Sequence, residues 1–266
     1  MRIFVLFTLL FSTLAWSQSP AEYFDLFDKK VYSLKNKGVK DFAVDITNSR
    51  LTKQLNDQKT FGTVKKVIFR VHWTAAPERI SVDVLGLPEG FVEVKEELKL
   101  GILPILDHLL PMTMPQRFAG YSFTPGAKPK EFVAKDTTGL ALVPSFVIRF
   151  DQQDKLTQVE AQKPVGTSVT DYVYEKKAFS DGRWALTKAT TVNAENGQTL
   201  KMTRSVDYGT VQGMGVVTSV AITTEQTSSK PNTKPLVLTE TVNFENYKID
   251  AGEAVKHFRA DGSKSP

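Results

Sequence analysis

The 266 residues include no Cys and only three His, at positions 72, 108 and 257. A thiol nucleophile, a thiolate zinc site and a dithiol redox pair are excluded, and a centre built from several histidines is not expected. Asp107-His108 is the one His with an adjacent carboxylate. Neighbours on a helix do not face each other, however, and no G-x-S-x-G turn accompanies the pair, so no nucleophilic triad is read there. His72 shares a strand with Arg70 and is expected on that strand's wet face, while His257 falls in the C-terminal tail. Glu96-Glu97 would need partners on a separate element to act as a glycosidase pair, and a stretch rich in Glu and Lys reads as solvated.

Two further motifs lose their chemistry on inspection. G-T-V-Q-G-M-G (209–215) has the glycines of a phosphate loop, but the β-branched, alternating run from Val216 to Ile222 follows it instead of a helix start, so it reads as a strand connection. Asp151 to Asp154 is an acidic turn without the ligand count or the glycine of a calcium loop. With no acid, base or nucleophile constellation, the expectation is a non-enzymatic protein without cofactor or metal.

The segment that does demand an explanation is apolar. From Leu98, G-I-L-P-I-L-D-H-L-L-P-M-T-M is punctuated by Gly101, Pro104 and Pro111, which predicts short helical pieces instead of one rod. Ile102, Leu103, Ile105, Leu106, Leu109, Leu110, Met112 and Met114 must either plug a core or act as a lid over an apolar cavity, and flexible Met together with the breakers suits a lid. Phe69, Val71 and Trp73, on one face of a strand, are the expected opposite wall.

The elements that position this segment follow from periodicity. Pro20 and the spacing of Phe24, Phe27, Val31 and Leu34 predict an amphipathic helix over 20–35, stopped by Gly38. Residues 40–47 read as a strand, and 48–60 as a short helix or loop. Period two then takes over: Val67, Phe69, Val71 and Trp73 oppose Lys66, Ile68, Arg70 and His72, and after T-A-A-P, Ile80, Val82 and Val84 oppose Arg79, Ser81 and Asp83, giving a hairpin with one buried face. Phe146, Ile148 and Phe150 start another strand, which D-Q-Q-D turns back into Leu156 to Val159.

From Ser168 to Tyr247, runs of about ten residues separated by S-D-G-R, A-E-N-G-Q and G-T-V-Q-G-M-G predict an antiparallel meander covered on one side. Leu200, Met202, Val206 and Tyr208 should share a face, as should Val216, Val220 and Ile222, and Leu236, Leu238, Val242 and Phe244. The fold class is thus α+β: a large curved antiparallel sheet with helices on one face, as one domain over 18–250 and a disordered tail over 251–266.

Lys+Arg number 34 against 29 Asp+Glu, and 41% of residues are hydrophobic, an ordinary globular balance. The lysines are scattered and not interleaved with aromatic residues, which argues against nucleic acid. Met1-Arg2, an apolar run over 3–16 and Ala15-Trp16-Ser17 form a signal peptide with cleavage expected after Ser17. The run is shorter than the roughly 20 residues of a membrane span. The expected address is the periplasm, with secretion as the alternative.

An amphipathic first helix, G-V-K-D-F-A-V-D-I-T (38–47), the hairpin V-H-W-T-A-A-P-E-R-I-S-V (71–82), an apolar helical insertion and a meander ending in F-E-N-Y-K-I-D (244–250) together resemble the LolA-like lipoprotein-carrier superfamily. The resemblance implies an incomplete antiparallel barrel whose helices cover a concave apolar face, a lipid or lipoprotein acyl chain as ligand, an envelope membrane protein as a further partner, and a monomer. It also implies an Arg immediately before the hairpin Pro to latch the lid. Ala76 stands there, leaving Arg70 or Arg79 as substitutes. The second expectation is a cell-envelope scaffold whose apolar segment is permanently core.

Overall fold

The computed structural model describes residues 19–58, 62–195, 197–228 and 234–262. The predicted signal peptide (1–17) lies outside them. Helix α1 (Pro20–Lys30) starts from a reciprocal cap, in which Glu22 N donates to Ser19 Oγ and Ser19 N to Glu22 Oε2, satisfying two donors that the first turn leaves free. It ends five residues earlier than its periodicity suggests. Val31 forms a parallel bridge to Trp184, whose carbonyl accepts from Tyr32 N at 2.8 Å, so Leu34 reaches the core from outside the helix.

The strands are β1 (Asp41–Asn48), β2 (Ile68–Ala75), β3 (Glu78–Leu85), β4 (Tyr121–Pro125), β5 (Glu131–Asp136) and β6 (Ser145–Phe150), then β7 (Leu156–Gln162), β8 (Thr167–Lys176), β9 (Trp184–Glu195), β10 (Gln198–Val211), β11 (Met214–Ser228) and β12 (Leu236–Ile249). They form one 12-stranded sheet in the order β3-β2-β1-β12-β11-β10-β9-β8-β7-β6-β5-β4. All neighbours are antiparallel. The sheet is curved and does not close into a barrel. The β10–β11 turn places Gln212 (φ 51°) and Gly213 (φ 75°) both in the left-handed region, the geometry of a tight hairpin whose twist matches its strands.

Two apolar clusters share the inner face. Over β4–β9, α1 inserts Tyr23, Phe24 and Phe27 among Phe132, Ile148, Phe150 and Trp184. Over β1–β3 and β10–β12, helix α2 (Ser49–Asp57) and helix α3 (Val92–Leu106) cover Phe42, Ile46, Phe69, Val71, Trp73 and Val220. Helix α4 (Met114–Arg117) joins the first cluster through Met114.

Three expectations need correction. The C-terminal tail is not disordered over its described part: helix α5 (Glu253–Gly262) lies on the outer face of β1 and β2, with Ala254 fully buried. His72, expected on a wet face, is consequently buried beneath it. The same cover explains the imperfect alternation of β1, where Asp41, Asp45 and Thr47 are buried on the outer side while Phe42, Val44 and Ile46 fill the inner core. Asp45 is satisfied there by a two-pronged contact from Arg70, Nε at 2.7 Å and Nη2 at 3.0 Å. That guanidinium holds the Asp45 carboxyl below its usual range. The third correction concerns β11. A register shift opposite Asp207/Tyr208 sets Val217, not Val216, across from Tyr208, as a bulge does by adding one residue to a strand, so that Val217 joins Val216 in the cluster that holds Val220 and Ile222.

Candidate functional site

Helix α3 runs through both Gly101 and Pro104 without breaking. Pro104 lies in its last turn, where its missing N–H frees the carbonyl one turn back and only two helical residues follow to be displaced by a kink. The break comes after Leu106. There Asp107 closes the loop, its Oδ1 accepting from Met112 N at 3.0 Å and its Oδ2 from Arg117 Nη2 at 2.8 Å. Thr113 then caps α4 with Gln116 and Pro115 at the start, and Asp28 of α1 takes Met114 N at 3.1 and 2.9 Å. The apolar segment is therefore pinned at its C-terminal end to both α1 and itself.

That pinning divides the predicted residues. Ile102, Ile105, Leu106 and Leu109 are buried in the cluster with Phe69, Val71 and Trp73, and Leu110 packs at its edge. Leu103 and Met112 face solvent, about half exposed. Met114 is buried in the other cluster beside Phe24 and Phe118, away from the wall it was expected to face.

Beneath the C-terminal half of α3, from Leu98 to Ile105, the packing is incomplete. A cavity of about 310 Å³ is lined by Phe69, Leu98, Ile102, Ile105, Met202 and Ile222, with Leu51 of α2 at its side. Arg204 and Glu240 flank Ile222 in one cross-strand row, Arg204↔Ile222↔Glu240, and both line the cavity. Asn48 Nδ2 donates to Glu240 Oε2 at 3.1 Å. Arg204 has no ion pair among the described residues. A second cavity, about 340 Å³, opens between Trp73 and Ile80 of the hairpin and Leu110, Pro111 and Met112.

Of the two latch substitutes, Arg70 is committed to Asp45 on the outer face and faces away from α3. Arg79 is exposed and lines the second cavity with Met112. Sequence reading missed Arg204, although alternation with Met202 and Val206 places it on the inner face; a charge in an apolar row was the available signal.

Two titrating groups flank the segment. Burial raises Asp28 from an ordinary 3.8 to about 6, against the opposing bond from Met114 N. Burial also lowers His108 to about 4, so it is neutral and structural at pH 7. The signs oppose each other. The fold binds a proton at Asp28 between about pH 4 and 6 that the unfolded chain gives up, so stability from this group falls as pH rises through that window. His108 is neutral in the fold between about pH 4 and 6.5 but protonated when unfolded, so its contribution is lost as pH falls. Asp28→Asn removes the first effect and leaves the second. Thermal melts from pH 4 to 8 should show the variant gaining stability over the parent as pH rises, and parallel curves would refute the assignment.

Comparison with known proteins finds no matching family model, no matching curated protein and no matching solved structure. Among the described residues no helix is long and apolar enough to cross a membrane.

Proposed function

We propose that this chain is a non-enzymatic carrier that takes a lipid or lipoprotein acyl chain into the cavity between α3 and the concave face of the sheet, working in the periplasm in the manner of the LolA-like proteins it resembles. The observation that carries this reading is the largely apolar cavity itself, at the lower end of the 300–1,000 Å³ typical of ligand sites, with the Arg204 guanidinium in its wall. Each methylene buried contributes about 0.8 kcal/mol. Arg204 supplies the polar end: a carboxylate or phosphate of the lipid accepts from its N–H groups.

Replacing Arg204 by Met should weaken a fluorescent fatty acid about tenfold or more, the worth of a charge-assisted hydrogen bond of about 1.5–3 kcal/mol, and leave the matching fatty alcohol unchanged. Equal loss for both ligands would assign Arg204 to packing alone. In this reading α3 flexes at Gly101, which lines the cavity and has the lowest helix propensity of its neighbours apart from Pro104. A Cβ there meets nothing within 4 Å, so Gly101→Ala should stiffen α3, stabilise the protein by about 0.5–1 kcal/mol and slow ligand uptake in stopped-flow fluorescence.

The scaffold reading retains one specific support: Ile105, Leu106 and Leu109 are buried in the main cluster. Native mass spectrometry of protein purified from its host separates the two readings, copurifying lipid favouring the carrier and consistently empty protein the scaffold.

A further inference from the structure

The outer face of the β2–β3 hairpin holds a second constellation, unconnected with the cavity. The register sets His72 opposite Ser81 and Arg70 opposite Asp83, which leaves His72 and Asp83 diagonal neighbours on one face. Helix α5 then lays His257 over them. The two imidazoles stack with centroids 4.0 Å apart and planes 10° from parallel. His72 Nδ1 lies 3.8 Å and His257 Nδ1 3.9 Å from the same oxygen, Asp83 Oδ2. One donor atom from each residue lies within 4.8 Å of the others.

We propose that His72, Asp83 and His257 bind a divalent transition metal of the zinc class, which clamps α5 onto the hairpin. Four facts converge on this. Tetrahedral zinc with bonds of roughly 2.0–2.1 Å needs donor atoms about 3.3–3.4 Å apart; each Nδ1 stands about half an ångström beyond that from Asp83 Oδ2, and one imidazole turns out of the stack to bring both lone pairs onto the ion. The His72 Nδ1 atom is buried without a hydrogen-bond partner, in a residue only 7% exposed, a costly arrangement for a polar atom unless something binds it. His257 Nε2 lies 3.2 Å from Ser81 Oγ; a proton donated there leaves Nδ1 unprotonated and able to bind a metal, as the outer hydrogen bond of a ligating histidine does. Asp83 and His257 remain partly open to solvent, giving the ion a path in and a water at its fourth position.

Two imidazoles with a carboxylate suit zinc, nickel or copper and not magnesium or calcium, which prefer oxygen alone. Fold and sequence separate here: residue count argues against a centre with several histidines, yet the topology brings two of the three together across 185 residues of chain.

The test is isothermal titration of the full, tag-free chain with zinc chloride, alongside thermal unfolding. One equivalent should bind saturably and raise the melting temperature. Asp83→Asn and His257→Gln should each weaken binding about tenfold or more, the range seen on losing a ligand or its support. His108→Gln should not. Far-UV circular dichroism checks that both site variants keep the sheet. Absence of saturable uptake, or uptake unchanged in His257→Gln, overturns the proposal.

Discussion

Replacing Leu106 and Leu109 together by serine will cost the protein much of its stability. Both are buried, at 6% and 3% exposure, in the cluster that holds Phe69, Val71 and Trp73. Truncating a buried leucine removes its transfer energy and leaves a void, together about 2–5 kcal/mol per site, and serine adds a hydroxyl that must find a partner. Against a total stability of about 5–15 kcal/mol, the double change should lower the melting temperature by on the order of 10–40 °C. Differential scanning calorimetry reads this directly. A shift of only a few degrees would mean that the whole segment after Gly101 detaches as a lid, with the sheet indifferent to it. The structure instead assigns Ile105, Leu106 and Leu109 to the core, with the cavity set under Leu98 to Ile105 in the C-terminal half of α3.

The second large effect belongs to the other cluster. Phe24, 1% exposed, meets Phe123 edge-on at 4.8 Å and Phe132 at 5.6 Å, with Phe150 tilted at 6.1 Å. These contacts span β4, β5 and β6, so the ring fastens α1 to three strands at once. Phe24→Ala should cost about 3–5 kcal/mol, and part of that is the edge-to-face geometry, about 0.5–1.5 kcal/mol per aromatic pair. Phe24→Leu should recover most of the volume and about half of the loss. If urea denaturation finds the alanine variant within about 1 kcal/mol of the parent, α1 is not an anchor of this half of the sheet.

These contrasting halves show how much the residue pattern reveals. Alternation in β2, β3, β10 and β12 is visible because each strand has one face toward the core, and the dipeptide Asp181-Gly182 marks a turn because both residues take positive φ. The sheet class and its antiparallel pairing follow. Hidden features depend on contacts distant in sequence. His72 looks solvated until α5 docks on it, and nothing between positions 70 and 74 announces that helix. Val31 and Leu34 continue the period of α1, but Trp184 captures the backbone at Val31. Met114 sits in an apolar run with Leu109, yet Asp28 draws its N–H to the opposite cluster. The apolar insertion was legible as a segment that must be covered; its division into core residues, a cavity roof from Leu98 to Ile105 and exposed Leu103 and Met112 was not, because periodicity cannot tell where a helix meets a gap.

The central claim is that an acyl chain occupies the space beneath α3. The most direct measurement titrates a fluorescent fatty acid into the parent protein and into Met202→Trp, which fills the cavity from its β10 wall. The account predicts saturable binding of one equivalent by the parent, weakened about tenfold or more (about 1.4 kcal/mol) in the variant, with melting temperatures that agree within about 4 °C. No saturable binding by the parent, or equal binding by a stably folded Met202→Trp, would contradict it.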